Sequence, residues 1–403
     1  MFKKKKQAET EFFISIGAGL NQMPLIREAR NLGYHVIGID RNTSAPGFLG
    51  CDLKIQESIH DRKTIYQKLN EVLFTGEISG IMTRSYGTAI KTTAYLNEKF
   101  NISYLPLLQC DNFIDKKLMK EAFLAAGIPS AEMIKLPARN RIDKFPHLFP
   151  LISKPVTGHA KTGVILYKNP EELKKNWPSP TQKNKIIFEH FITGDEVIIA
   201  GLVHDGTFYL VDMTDKKTSD DVSFVDIMHV SPSRYFDRHK EFIEIGQNIT
   251  TAFQLHSTPL IIEAIIGTDG KIRVIEAVPE FGGEFLCDIA IPARTGYNFI
   301  SQAIRSMTGL RFKLPPLKKP KNAVVVQYIT GHGGKLVSCS PEKPRNLKGV
   351  IFSRVFKGIG ASIQAAQTNH DRIGVVITKG KTADAAIATA EKAVELFNIK
   401  IKD

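Results

Sequence analysis

The chain has 403 residues, too many for one ordinary domain, so two to four domains are expected. Its 43% apolar and 24% charged residues are those of a folded globular protein, and no apolar run reaches the roughly 18 residues that a membrane span needs. Formal charge is +13, and from Leu314 onward fifteen Lys/Arg stand against six Asp/Glu. With no interleaved aromatics and no base-reading motif there, this reads as a solvated basic surface that favours anionic ligands and argues against a nucleic-acid partner.

The opening MFKKKK has the basic character of a signal peptide, but QAETE interrupts any hydrophobic region, so no export is expected. Cys51, Cys110, Cys287 and Cys339 are far apart and form no C-x-x-C pair, which fits a reducing cytoplasm and argues against a zinc site. The stretch FFISIGAG is a β-branched and aromatic strand that runs into Gly17-Ala-Gly19. A helix, MPLIREARNLG, and a second strand, YHVIGID, follow, giving a β-α-β unit and hence a parallel sheet. Gly-x-Gly with Asp40 beyond it suggests a dinucleotide fold, but Gln22 stands where the third glycine belongs. Strand and helix patterns alternate to about residue 112, predicting an open α/β sheet, with Arg84 and Ser85 at a strand's C-terminal end where such sheets bind ligands.

In CDNFIDKKLMKEAFLAAGIP, Asp111 or Asn112 is placed to cap a helix that Gly127 and Pro129 end. PLISKP puts Lys154 inside an apolar strand, and a buried lysine wants an anion. The loop from Gly158 to Gly163, with Lys161 at its centre, either wraps backbone N–H groups around phosphate or is an ordinary hairpin loop. After it come strands through IIFEHFITGDEVIIAGLVHDGTFYLVD, then a polar stretch, TDKKTSDDVSFVDIMHVSPS, read as loop, with Lys216 and Lys217 in it. A helix follows, then two apolar runs joined by a Thr-Asp-Gly-Lys turn, each with one glutamate, Glu263 and Glu276. Two carboxylates on neighbouring strands either face solvent at an edge or share a divalent cation. LPPLKKPKN is a linker, and the tail reads as three strands and a helix.

The order of these features resembles the ATP-grasp superfamily, and within it the carboxylate–amine ligases such as L-amino-acid ligases and related purine-pathway enzymes. The similarity rests on Asp115-Lys116 with KEAFLAAGIP, on PLISKP, on the glycine-bounded loop, on EHFITGDE and on the Glu263/Glu276 hairpin. It implies an α/β grasp fold in three parts: a Rossmann-like domain over 1–112, an ATP-grasp domain over 113–313 with a lid subdomain about 128–188, and a small α/β domain over 314–403. It implies ATP and Mg²⁺, with Mn²⁺ as a substitute, and small-molecule carboxylate and amine substrates; homodimers are common in this family. By resemblance Lys116 and Lys154 meet the phosphates, and Gly158, Lys161 and Gly163 close over them. Glu189 receives the adenine amino group, the backbone near Phe191 and Ile192 completes that recognition, and Glu196 holds the ribose. Glu263 and Glu276 bind metal, and His229 matches a position near the substrate pocket.

The reaction so implied is attack of a carboxylate on the γ-phosphate, then of an amine on the acyl phosphate, releasing ADP and phosphate. Two alternatives stand beside it, a purine-pathway ligase using bicarbonate or formate, and a non-catalytic nucleotide-binding homologue. The sequence departs from the family after Glu276, where Asn-Pro-Arg is usual and Val278-Pro279-Glu280 is found. Either Glu280 or Glu284 adds a metal ligand, or Glu280 receives a cationic or amine substrate. Arg294 is then the candidate for the missing positive charge.

Overall fold

A computed structural model describes residues 10–72, 76–158, 161–179, 181–182, 185–219, 224–283, 285–317 and 321–402. The first sheet is parallel, with spatial order Leu53–Gln56, His35–Asp40, Thr10–Ile16, Gly76–Thr83. Chain direction across the sheet reverses beside Thr10–Ile16, which creates a crevice at the strands' carboxyl ends. The first turn there carries Gln22 in place of the third glycine of a dinucleotide fingerprint. Gln22 folds back against Gly17, so that a Cβ on that glycine would lie 3.1 Å from it, and its amide donates to Ser85 Oγ at 2.7 Å.

Eight strands form the central sheet, in the order Ile272–Val278, Thr258–Gly267, Gly194–His204, Thr207–Thr218, Asp226–Ser231, Ala323–Ile329, Gly374–Gly380, Val350–Val355. All are antiparallel to their neighbours. Part of the polar stretch expected to be loop is therefore strand. Thr214–Thr218 continues one strand and Asp226–Ser231 forms the next, because the charged side chains there pair across strands, as Lys216 opposite Glu196 shows. Residues 220–223 lie outside the described residues.

A three-stranded sheet, Ile165–Tyr167, Leu151–Pro155 and Ile186–His190, stands over one side of the central sheet's cavity with its own small core around Leu151, Tyr167 and Leu173. The helix expected from Asp111 or Asn112 is instead two helices, Cys110–Ile114 and Lys116–Ala125. Asp115 between them is extended, and its carboxylate accepts the N–H groups of Lys117 and Leu118 as the N-cap of the second. Among the described residues no helix is long and apolar enough to cross a membrane.

Candidate nucleotide and metal site

The cap at Asp115 fixes where the second helix starts, and so where Lys116 points. Its Nζ reaches the Gly158 carbonyl at 3.1 Å and Glu276 at 3.2 Å. One turn on, Lys120 lies on the same helix face. It is 3% exposed, donates to the Val274 carbonyl at 3.1 Å and sits 3.3 Å from Glu189. The other Glu189 oxygen takes Lys154 at 2.7 Å. Burial pushes Glu189 up, but the two ammonium groups outweigh it and hold the carboxyl below its usual range. Lys120 is pushed down to about 8 by burial, which its single shared carboxylate only partly offsets.

A second cluster centres on Lys216. Its ammonium lies 2.8 Å from Glu263, 3.1 Å from Glu196 and 3.4 Å from Asp226, and Lys161 reaches Glu196 at 3.6 Å. Burial opposes its charge, yet the three carboxylates raise Lys216 well above the ordinary lysine value. Asp226 ties this cluster to the C-terminal part of the chain. Asn369 donates to its carboxylate at 2.8 Å and accepts from its backbone N–H at 3.0 Å, and Arg372 lies 3.3 Å from the same carboxylate.

Both clusters line one cavity of about 750 Å³, a size that suits a nucleotide. Of the residues expected at the site, Lys116, Lys154, Gly158, Lys161, Glu189, Phe191, Ile192, Glu196, Glu263 and Glu276 are on its wall. Gly163 is not on it. Its φ of 74° and a gap of only 2.8 Å between a built Cβ and Pro155 give it a conformational reason to be glycine. The Glu189 carboxylate lies between two lysines, its buried Oε1 without a hydrogen-bond partner among the described residues, and the Phe191 N–H donates to the Pro150 carbonyl at 3.0 Å.

Glu263 and Glu276 are direct cross-strand partners, and their side chains are 32% and 31% exposed. Among the described residues no group of three or more His, Cys, Asp or Glu is arranged to hold a metal ion. Two carboxylates still fit Mg²⁺, which takes the rest of its shell from phosphates and water.

The structure places the other candidates away from this wall. Arg294 turns to Asp212 and donates to both carboxylate oxygens, because Asp212 is fully buried in its strand and needs a cation. Glu280 is 6% exposed and is not on the cavity wall. Glu284 lies outside the described residues. His229 is opposite Lys216, and neither ring nitrogen has a hydrogen-bond partner among the described residues; burial pushes it down to about 4, so it is neutral at pH 7.

Three site residues escape the sequence reading. Lys120 was legible in principle, since it follows Lys116 by one turn on an amphipathic helix. Asp226 and Asn369 were not, because nothing in their spacing brings residues 143 apart together.

Comparison with known proteins follows the same outline. Residues 147–288 match the ATP-grasp domain, and residues 327–402 match L-amino acid ligase C-terminal domain 2. The chain thus carries an ATP-grasp domain and, after it, an L-amino acid ligase C-terminal domain. It is 24% identical over 203 residues to a D-alanine–D-alanine ligase of Trichlorobacter lovleyi, covering 49% of this chain and 62% of that one. The chain thus spans under two thirds of the curated relative it matches. Its fold is that of an L-amino acid ligase from Bacillus licheniformis, with TM-score 0.81, 19% identity, and coverage of 99% of this chain and 100% of the other. It is also that of the biotin carboxylase domain dimer of a Hydrogenobacter thermophilus 2-oxoglutarate carboxylase in complex with MgADP and bicarbonate, with TM-score 0.73, 15% identity, and coverage of 98% and 92%.

Proposed function

We propose that the protein is an ATP- and Mg²⁺-dependent ligase that activates a carboxylate as an acyl phosphate and joins it to an amine, giving ADP and phosphate. One observation carries this reading. Four lysines on one cavity wall, Lys116, Lys154, Lys161 and Lys216, are each held by a carboxylate, respectively Glu276, Glu189, Glu196 and Glu263. Such a site is self-neutralised when empty. A polyphosphate offers the lysines better partners and frees Glu263 and Glu276 for the cation that accompanies it.

In this reading Lys116, Lys154 and Lys161 neutralise phosphate charge, with the loop bounded by Gly158 and Gly163 over it. Lys161 takes φ of 66° there, a strained backbone that suits a ligand-gripping loop. Glu196 faces the ribose, the Phe191–Ile192 segment lines the base end, and Glu189 keeps Lys120 and Lys154 charged and aimed. Mg²⁺ held by Glu263 and Glu276 would offset charge on the transferring group and align it. We assign the units 1–112, 113–313 and 314–403 to substrate entry, nucleotide chemistry and site completion, and expect a cytoplasmic homodimer.

The test is ADP release with pools of amino acids, set against ribonucleotide plus bicarbonate. Release with amino acids alone supports the reading. Release with bicarbonate alone favours the bicarbonate-using alternative, which the similarity to the biotin carboxylase domain keeps in view. A narrower result follows from the Asp226 cluster. Asn369→Ala deletes two hydrogen bonds to Asp226 and loosens the partner of Lys216. The KM for ATP should rise about fivefold to tenfold, with little change in Tm, in steady-state assays and thermal melts.

A further inference from the structure

Lys120 lines the same cavity as Lys116, Lys154 and Lys161, but its surroundings give it a different task. It comes from the helix Lys116–Ala125 and is tied to the backbone, donating to the Val274 carbonyl at 3.1 Å. Its ammonium also lies 3.3 Å from Glu189 Oε1. Lys154, on the strand paired with that of Glu189, takes the other carboxylate oxygen at 2.7 Å. The Lys154 side chain is 14% exposed, that of Lys120 only 3%.

Glu189 itself is 1% exposed, and its Oε1 has no hydrogen-bond partner among the described residues. A buried acceptor without a donor is costly, and this one belongs to a residue on the wall of a ligand-sized cavity. Phe191 and Ile192, just beyond it in the chain, lie on the same wall with Ile152 and Val274, an apolar surface that suits a purine ring. The bare oxygen is thus placed to accept from a group on the edge of that ring.

What the carboxyl can read depends on its charge. Ionised, it only accepts, which suits a 6-amino purine and repels a 6-oxo one; protonated, it also donates and takes either. Burial drives Glu189 toward the protonated form, and Lys154 and Lys120 hold it ionised. A polyphosphate competes for the more exposed Lys154, whereas Lys120 stays anchored to the Val274 carbonyl. We propose that Lys120 is a positioning residue that sets the purine specificity of the site, by keeping Glu189 ionised when Lys154 turns to phosphate and so restricting it to a 6-amino base. This rests on the ligase reading for the presence of a nucleotide in the cavity. It goes beyond that reading in giving Lys120, which follows Lys116 by one helical turn, the choice of base rather than the neutralisation of phosphate.

The experiment measures binding of ATP and of ITP, each with Mg²⁺, to the full chain by calorimetry at pH 7. ITP carries a 6-oxo group where ATP carries the amino group. The wild type should bind ATP at least about thirtyfold more tightly than ITP. In Lys120→Met that ratio should fall at least about tenfold. Lys120→Gln, which keeps a donor for the Val274 carbonyl but no charge, should do the same and carries the test if Lys120→Met does not fold. Glu189→Gln, whose amide both donates and accepts, should lower the ratio by a similar factor. Adding Lys120→Met to Glu189→Gln should lower it no further, because Lys120 acts through the charge on Glu189. A ratio unchanged in the folded Lys120 variants, or a fall that adds to that of Glu189→Gln, overturns the assignment while leaving the ligase reading intact. A wild type that binds neither nucleotide removes the ligase reading, and the role of Lys120 with it.

Discussion

Glu276→Ala should lower ATP-dependent ADP release by about a thousandfold, equivalent to roughly 4 kcal/mol of transition-state stabilisation. Glu276 faces Glu263 across the hairpin, and both carboxylates open onto the cavity wall. Removing one leaves a single anionic ligand for a cation that must stay fixed while charge moves onto the leaving group. The same substitution has a second, opposite consequence. Lys116 lies 3.2 Å from Glu276, and without that partner its ammonium is free for phosphate. Binding of ATP in the presence of a chelator should therefore hold or tighten by a few-fold on Coulombic grounds, read by calorimetry. Loss of turnover with retained nucleotide binding supports a catalytic metal site. Undiminished turnover in a variant that still binds nucleotide would remove Glu276 from the catalytic metal site.

The parallel first sheet was legible because its strands and helices alternate in simple hydrophobic periods, with Gly17 and Gly33 at the turns. The glutamate hairpin was legible because carboxylates in apolar runs stand out, and its register confirms that Glu263 and Glu276 are direct partners. The strand Asp226–Ser231 was not, since its charges read as loop until Lys216, Glu196 and Glu263 are seen to neutralise one another across neighbouring strands. Arg294 misled for a related reason. Nearness in sequence to Glu280 says nothing of which way a short helix turns, and Asp212, 82 residues earlier, takes its guanidinium. Propensity and periodicity speak of one element at a time, whereas this site is made by pairing between elements.

Lys216→Met tests that pairing most severely, because Lys216 is the common cation of Glu196, Asp226 and Glu263 and its own side chain is 2% exposed. Leaving buried carboxylates without their partner should destabilise the fold by about 3–5 kcal/mol at pH 7. The pH dependence should also change sign. In the wild type, burial pushes Glu196 and Asp226 up, but Lys216 together with the cations around it, Lys161 for both and Arg372 for Asp226, more than compensates and both are held below the usual carboxylate range. A depressed folded value contributes stability that is fully present above the unfolded value of about 4 and is lost as pH falls through the folded one. In the variant, burial acts with its main counterweight gone, so these carboxyls rise above their unfolded values and the fold is relieved as they take up protons. Urea unfolding at pH 7 and pH 5 should show the gap between variant and wild type narrowing on acidification by about 1 kcal/mol or more. A gap that is equal at both values would mean that the carboxylates do not depend on Lys216. The cluster would then not be the charge-balanced unit from which a nucleotide could draw its lysines.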